Sequence, residues 1–135
     1  MSEHLESLGT AVMQMLLRGD DPVLRALAAQ FRECKIASQR GTGAGFFVDF
    51  SVPIHLPPVP GRDSFVFGDV VAEIDGLERG AGFLLFIKNG NLAFLEGFSY
   101  DEAWPTTVSG FKLRYSTGDE RDLPTLSRQW TMVTK

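Results

Sequence analysis

The chain has 135 residues, 44% of them hydrophobic and 22% charged, the length and balance of one domain that buries a core without disulfides or a metal. It holds one Cys and two His, too few for an internal disulfide or a zinc site, and no run reaches the ~18–20 apolar residues of a membrane span. Its net charge of −4 argues against nucleic acid as a partner, since a phosphate-binding groove needs Lys and Arg gathered on one face.

The first 33 residues read as helical. Ser2 is the expected N-cap of a first helix, with Glu3 and Glu6 in its first turn complementing the helix dipole. Leu5, Leu8, Val12, Met15 and Leu16 repeat at helical spacing, and Arg18-Gly19 closes the last turn with the glycine that helix ends favour. Asp21-Pro22 opens a second helix, Asp as cap and Pro where its missing N–H costs nothing. Its apolar stripe is Leu24, Leu27, Ala28 and Phe31.

From residue 34 the period changes from 3.6 to 2, and residues 34–117 read as sheet. A strand over 34–40 leads through a Gly-rich turn at 41–45 into 46–52, where Phe46, Val48, Phe50 and Val52 share one face and Phe47, Asp49 and Ser51 the other. The four prolines of 53–61 mark an extended connection, because Pro cannot donate to a central ladder. Residues 65–75 resume the alternation. The clearest hairpin runs over 83–100 around Asn89-Gly90, the dipeptide suited to a type I′ turn because both positions need φ > 0.

A two-residue turn pairs Lys88 with Asn91, Ile87 with Leu92, Leu85 with Phe94 and Phe83 with Glu96. Phe83, Leu85, Ile87, Leu92, Phe94, Glu96 and Phe98 then share a face, and Leu84, Phe86, Ala93 and Leu95 share the other. Both are apolar, so both should be covered. Two short helices cover one, which leaves the C-terminal segment or a second subunit for the other and predicts a homodimer. A last strand over 111–117 precedes a terminal segment, 118–135, that begins at Asp122-Leu123-Pro124 and carries Leu126, Trp130 and Val133. The expected architecture is a single α+β domain, two N-terminal helices on a mainly antiparallel sheet of five to six strands. No metal or cofactor site is expected, since no calcium loop, P-loop, G-x-S-x-G or H-E-x-x-H pattern occurs. The chain opens without a signal-peptide pattern, and with a single Cys the expected compartment is the cytoplasm.

Glu96 is the most informative carboxylate. In the register above it sits among Phe83, Phe94 and Phe98, where an ionised group is costly unless paired. One reading makes it a general acid or base, or a ligand contact, at the centre of a small enzyme or binding pocket lined by Phe83, Phe94, Tyr100 and Trp104. The other makes it structural, paired with Arg79, Arg114 or backbone N–H groups, or lying at the sheet rim. Tyr100, Asp101, Glu102 and Trp104 follow directly and form a candidate binding loop. Glu73 and Asp75, with Asp49, form a candidate acidic patch on the second sheet face. Residues 41–104 carry nine acids and three bases, which suits a basic protein partner.

His55, alone in the Pro-rich connection, and Cys34, a small strand residue, complete no catalytic arrangement. The scarcity of chemical residues favours a non-enzymatic binding or interaction protein, of immunity or accessory type, with the acidic sheet and the 100–104 loop as its surface.

Residues 85–105 resemble a recurrent segment of small uncharacterised bacterial proteins, L-F-x3-G-x-L-x2-L-E-G-x2-Y-D-E-x-W-P. It is carried here by Leu85, Phe86, Gly90, Leu92, Leu95, Glu96, Gly97, Tyr100, Asp101, Glu102, Trp104 and Pro105. The resemblance implies a bacterial source and a small α+β domain, and it implies no activity.

Overall fold

The computed structural model describes residues 7–132, with the side chains of Arg62 and residues 129–132 excepted. Ser2, Glu3, Leu5, Glu6 and Val133 lie outside the described residues, as does the Trp130 side chain. Helix α1 (Ser7–Leu16) buries Leu8, Val12, Met13 and Leu16, and helix α2 (Pro22–Glu33) buries Leu24 and Leu27. Asp21 caps α2 as expected: its Oδ1 accepts from the backbone N–H groups of Val23 at 2.8 Å and Leu24 at 3.2 Å, satisfying donors that the first turn leaves open.

Seven strands follow: β1 (Lys35–Gly41), β2 (Gly45–Ser51), β3 (Phe65–Phe67), β4 (Val70–Ile74), β5 (Ala81–Lys88), β6 (Asn91–Ser99) and β7 (Phe111–Tyr115). Their order across the sheet is β1-β2-β6-β5-β4-β7, with β3 also on β5, and every pair is antiparallel. The strand expected over 65–75 is broken at Gly68-Asp69. Phe67 lies opposite Leu85 and Val71 opposite Gly82, so the broken strand carries one residue more than its partner, a bulge. Gly68 is needed there, because a Cβ would come 1.9 Å from the Phe83 carbonyl oxygen.

The two-residue turn is present, with φ of 52° at Asn89 and 82° at Gly90. Lys88–Asn91 and Ile87–Leu92 pair as expected, but Leu85 then faces Leu95 and Phe83 faces Gly97. Ala93 is the extra residue of a β-bulge, and past it every β6 side chain changes face relative to the regular register. The expected Leu85–Phe94 and Phe83–Glu96 pairs are thus corrected. Phe83, Leu85, Ile87, Leu92 and Leu95 belong to the core, whereas Phe94, Glu96 and Phe98 join Leu84 and Phe86 on the opposite face.

Helix α3 (Leu123–Met132) packs the terminal segment against β3, on the core side of the sheet. Leu126 is in the common core, and Leu123 packs by Gly19. The C-terminal helix therefore shares the first layer and leaves the second sheet face without a helix among the described residues. No described helix is long and apolar enough to cross a membrane.

Two buried polar groups tie the layers together. Gln30, fully buried on α2, donates through Nε2 to the Gly90 carbonyl at 3.0 Å, the Pro57 carbonyl at 3.2 Å and Asn91 Oδ1 at 3.2 Å. Its Oε1 accepts from the Leu92 N–H at 2.9 Å. One side chain thereby anchors both the hairpin turn and the Pro-rich connection. Arg121 forms a bidentate pair with Asp69, both bonds at 2.8 Å, and donates to the Leu16 carbonyl at 2.7 Å and to that of Arg18. Its guanidinium lies 5.0 Å from the Tyr115 ring centroid, and the Tyr115 hydroxyl donates to the Met15 carbonyl at 2.7 Å. The end of α1, the bulge at Asp69, β7 and the start of α3 meet at this arginine.

Gln30→Leu strands the buried Leu92 N–H and should lower the unfolding free energy by about 1–3 kcal/mol in urea titrations. Arg121→Met leaves Asp69 as an uncompensated, largely buried charge and should cost about 3–5 kcal/mol in the same assay.

Candidate functional site

The β4–β5 turn and β7 enclose an open cleft of about 710 Å³. Pairing of β4 with β7 sets Glu73 beside Lys112 and Val71 beside Arg114; Asp75 follows at the end of β4, where its N–H donates to the Gly110 carbonyl at 3.0 Å. Tyr100 and Arg79 complete the wall. Glu73 pairs with Arg114 at 3.4 Å on the surface. Tyr100 is 41% exposed and stands edge-on to Phe98 with ring centroids 5.5 Å apart. The room for both rings comes from Gly82, where a Cβ would lie 2.7 Å from the Tyr100 hydroxyl oxygen and from the Phe98 ring.

The rim of this corner is built by Asp101 and Glu102. Asp101 adopts φ 64° and lies 4.0 Å from Arg79. The Glu102 carboxylate reaches across to the turn and accepts from the N–H groups of Glu78 at 2.9 Å and Arg79 at 2.8 Å. Those two backbone hydrogen bonds, Glu78 first, hold its carboxyl below its ordinary value, since they favour the charged form. Ser99 Oγ donates to the Glu102 carbonyl and, at 3.1 Å, to that of Ala44. The Trp104 N–H donates to the Gly43 carbonyl at 2.7 Å. The 100–104 loop is thus locked between two turns.

The fold divides the sequence-derived candidates. Glu73, Asp75 and Tyr100 line the cleft, and Asp101 and Glu102 edge it. Trp104 packs instead on the core side, its ring 5.5 Å from that of Phe46, and lines a separate cavity of about 580 Å³ beside the start of α1. Glu96 belongs to neither cavity. It lies between Phe47 and Leu84 on the helix-free sheet face, partly exposed. Asp49 is on that face too, but in β2, three strands from Glu73, so the three acids do not form one patch. Phe83, at 1% exposure, is in the core, so the four residues expected around Glu96 do not converge on it.

The bases of the cleft, Arg79, Lys112 and Arg114, are not evident from sequence as site residues, because only the β4–β7 pairing brings 112 and 114 to 73. Arg79 and Arg114, the bases expected beside Glu96, pair with Asp101 and Glu73 instead. His55 is an exposed neighbour of Glu33, 3.6 Å away. Partial burial pushes the Cys34 thiol up, away from thiolate reactivity. Among the described residues no three His, Cys, Asp or Glu side chains are placed to hold a metal ion.

Comparison with protein-family models, curated proteins and solved structures gave no match. The segment 85–105 has a physical reading in this fold. Gly90 makes the turn, and Gly97 lies beneath the Phe46 ring, where a Cβ would meet ring atoms at 2.4 Å. Leu85, Leu92 and Leu95 fill the core, Glu102 clasps the 78–79 turn, and Pro105 packs by Gly76.

Because the Glu102 carboxyl is held low in the folded state, its contribution is present at neutral pH and lost as pH falls through that lowered value. Glu102→Gln should therefore be less stable than the parent at pH 7, with the gap closing on acidification, as followed by thermal melts across pH.

Proposed function

We propose that the chain is a non-enzymatic binding protein whose interaction surface is the corner around the β4–β7 cleft. The observation that carries this reading is the gathering of Glu73, Asp75, Glu78, Asp101 and Glu102 around an exposed Tyr100. Arg79, Lys112 and Arg114 offset part of that charge, while Asp75 and Glu78 have no ion pair among the described residues. An aromatic anchor ringed by carboxylates suits an Arg- or Lys-rich protein segment, with charge steering the encounter and the ring supplying contact area.

Masking a basic partner protein, as an immunity-type or accessory protein does, is the role this surface fits. The same reading has the chain acting as a homodimer in the cytoplasm of a bacterium, supported by its two-sided apolar hairpin, its lone thiol and the resemblance of residues 85–105. The test is calorimetric titration with an arginine-rich decapeptide at low and moderate salt. Salt-sensitive binding, weakened about tenfold or more by the double variant Asp75→Asn, Glu78→Gln, is the expected outcome. Equal affinity in parent and variant, or no binding, refutes the assignment.

A further inference from the structure

The face of the sheet opposite the helices is built from Phe47 on β2, Phe94 and Phe98 on β6, and Leu84 and Phe86 on β5. None of the five belongs to the core or packs against it, and all remain partly exposed. Phe86 and Phe94 stack with centroids 4.2 Å apart and planes 17° apart, and Phe47 meets Phe94 at 5.8 Å. Val66, at 36% exposure, extends the patch beside Phe86.

We propose that this face is where a second copy of the chain docks, two sheets packing into a sandwich with an aromatic interior. The proposal deepens the homodimer reading by naming its surface. Size is the first argument. Six strand positions about 4.8 Å apart, each about six residues long at about 3.4 Å per residue, span roughly 25 by 20 Å. The centre of this face, over β2, β6, β5 and β3, is the aromatic patch, and the whole face is a flat area of about 500 Å². That is of the order of the ~800 Å² that each partner buries in a stable complex.

Charge is the second argument. The strand residues on this face include Lys35, Arg40, Lys88, Lys112 and Arg114 against Asp49, Glu73 and Glu96, a small positive excess in a chain of net −4. Two copies repel one another elsewhere and least here. The bases stand on the perimeter, on both edge strands and at the hairpin end, while Asp49 and Glu96 lie inside the patch. Arg40 is laid over the Phe47 ring, 4.5 Å from its centroid, and Phe47 lies directly opposite Glu96. That places Arg40 to pair with Glu96 when water leaves the face, as a carboxylate buried there requires. An occupant of strongly one-signed charge fits this balanced surface less well than a second copy does.

The test is light scattering on the purified full chain over roughly 1 to 100 µM, the range of ordinary dimer constants. The expected result is a dimer mass that falls to the monomer mass in Phe94→Lys and Phe86→Lys, with circular dichroism unchanged. Val66→Lys, at a position already exposed, gives the same reading if the aromatic variants fail to fold. A monomer mass for the parent throughout the range overturns the dimer itself. A dimer that persists in folded Phe94→Lys and Val66→Lys overturns the face while leaving dimerisation intact. Decapeptide binding by monomeric Val66→Lys separates the fate of this surface from that of the β4–β7 corner.

Discussion

Between the Asn89-Gly90 turn and Leu95, β6 carries one residue more than β5, and that residue, Ala93, sets the composition of both sheet faces. A strand has a period of two, so one inserted residue exchanges the faces of everything beyond it. Without the bulge, Phe94, Glu96 and Phe98 would point at the helices, and an ionised carboxylate would stand among core phenylalanines. With it, Leu95 fills that layer, and Gly97 lets the Phe46 ring lie flat on β6. The carboxylate moves to the side that meets water. Close packing of the helix-facing layer and an aromatic outer face are therefore two results of one local irregularity.

Polar anchoring holds the other elements to this frame. Gln30 satisfies groups of the hairpin turn and the Pro-rich connection at once, and Arg121 does the same for the end of α1 and the bulge at Asp69. Each joins chain segments distant in sequence. Buried polar groups of this kind specify arrangement because any other packing leaves them unpaired. Glu102 repeats the device at the surface, holding the loop after β6 against the turn before β5. The corner cleft is thus positioned by the same hairpin that presents the aromatic face.

The two candidate surfaces meet at the β4–β7 edge, where they share Glu73, Lys112 and Arg114, and they differ in character. At the corner, carboxylates surround one exposed tyrosine, and three bases from the turn and β7 offset part of their charge. On the open face the excess is slightly basic and the contact area apolar. The acidity of residues 41–104 as a whole does not mark the sheet surface as acidic. It is concentrated where turns and loops converge, and the edge strands β1 and β7, lying outside that stretch, supply most of the bases of the open face.

Local chemistry was legible from the residues alone. The Asp21 cap, the helical stripe of α2, the φ > 0 turn at Asn89-Gly90, the Pro-rich connection and the α+β class each depend on neighbours a few positions away. The apolar character of both hairpin faces was legible for the same reason, since alternation is a local pattern. Tertiary structure alone decided the register beyond Ala93, because a bulge is stabilised by how well the resulting faces pack. It also decided that α3 joins the first layer and that Lys112 and Arg114 reach Glu73. These are contacts between segments tens of residues apart, and no local spacing encodes them. Glu96 shows the division most plainly: its identity and strand were readable, but its side of the sheet depended on one extra residue three positions before it.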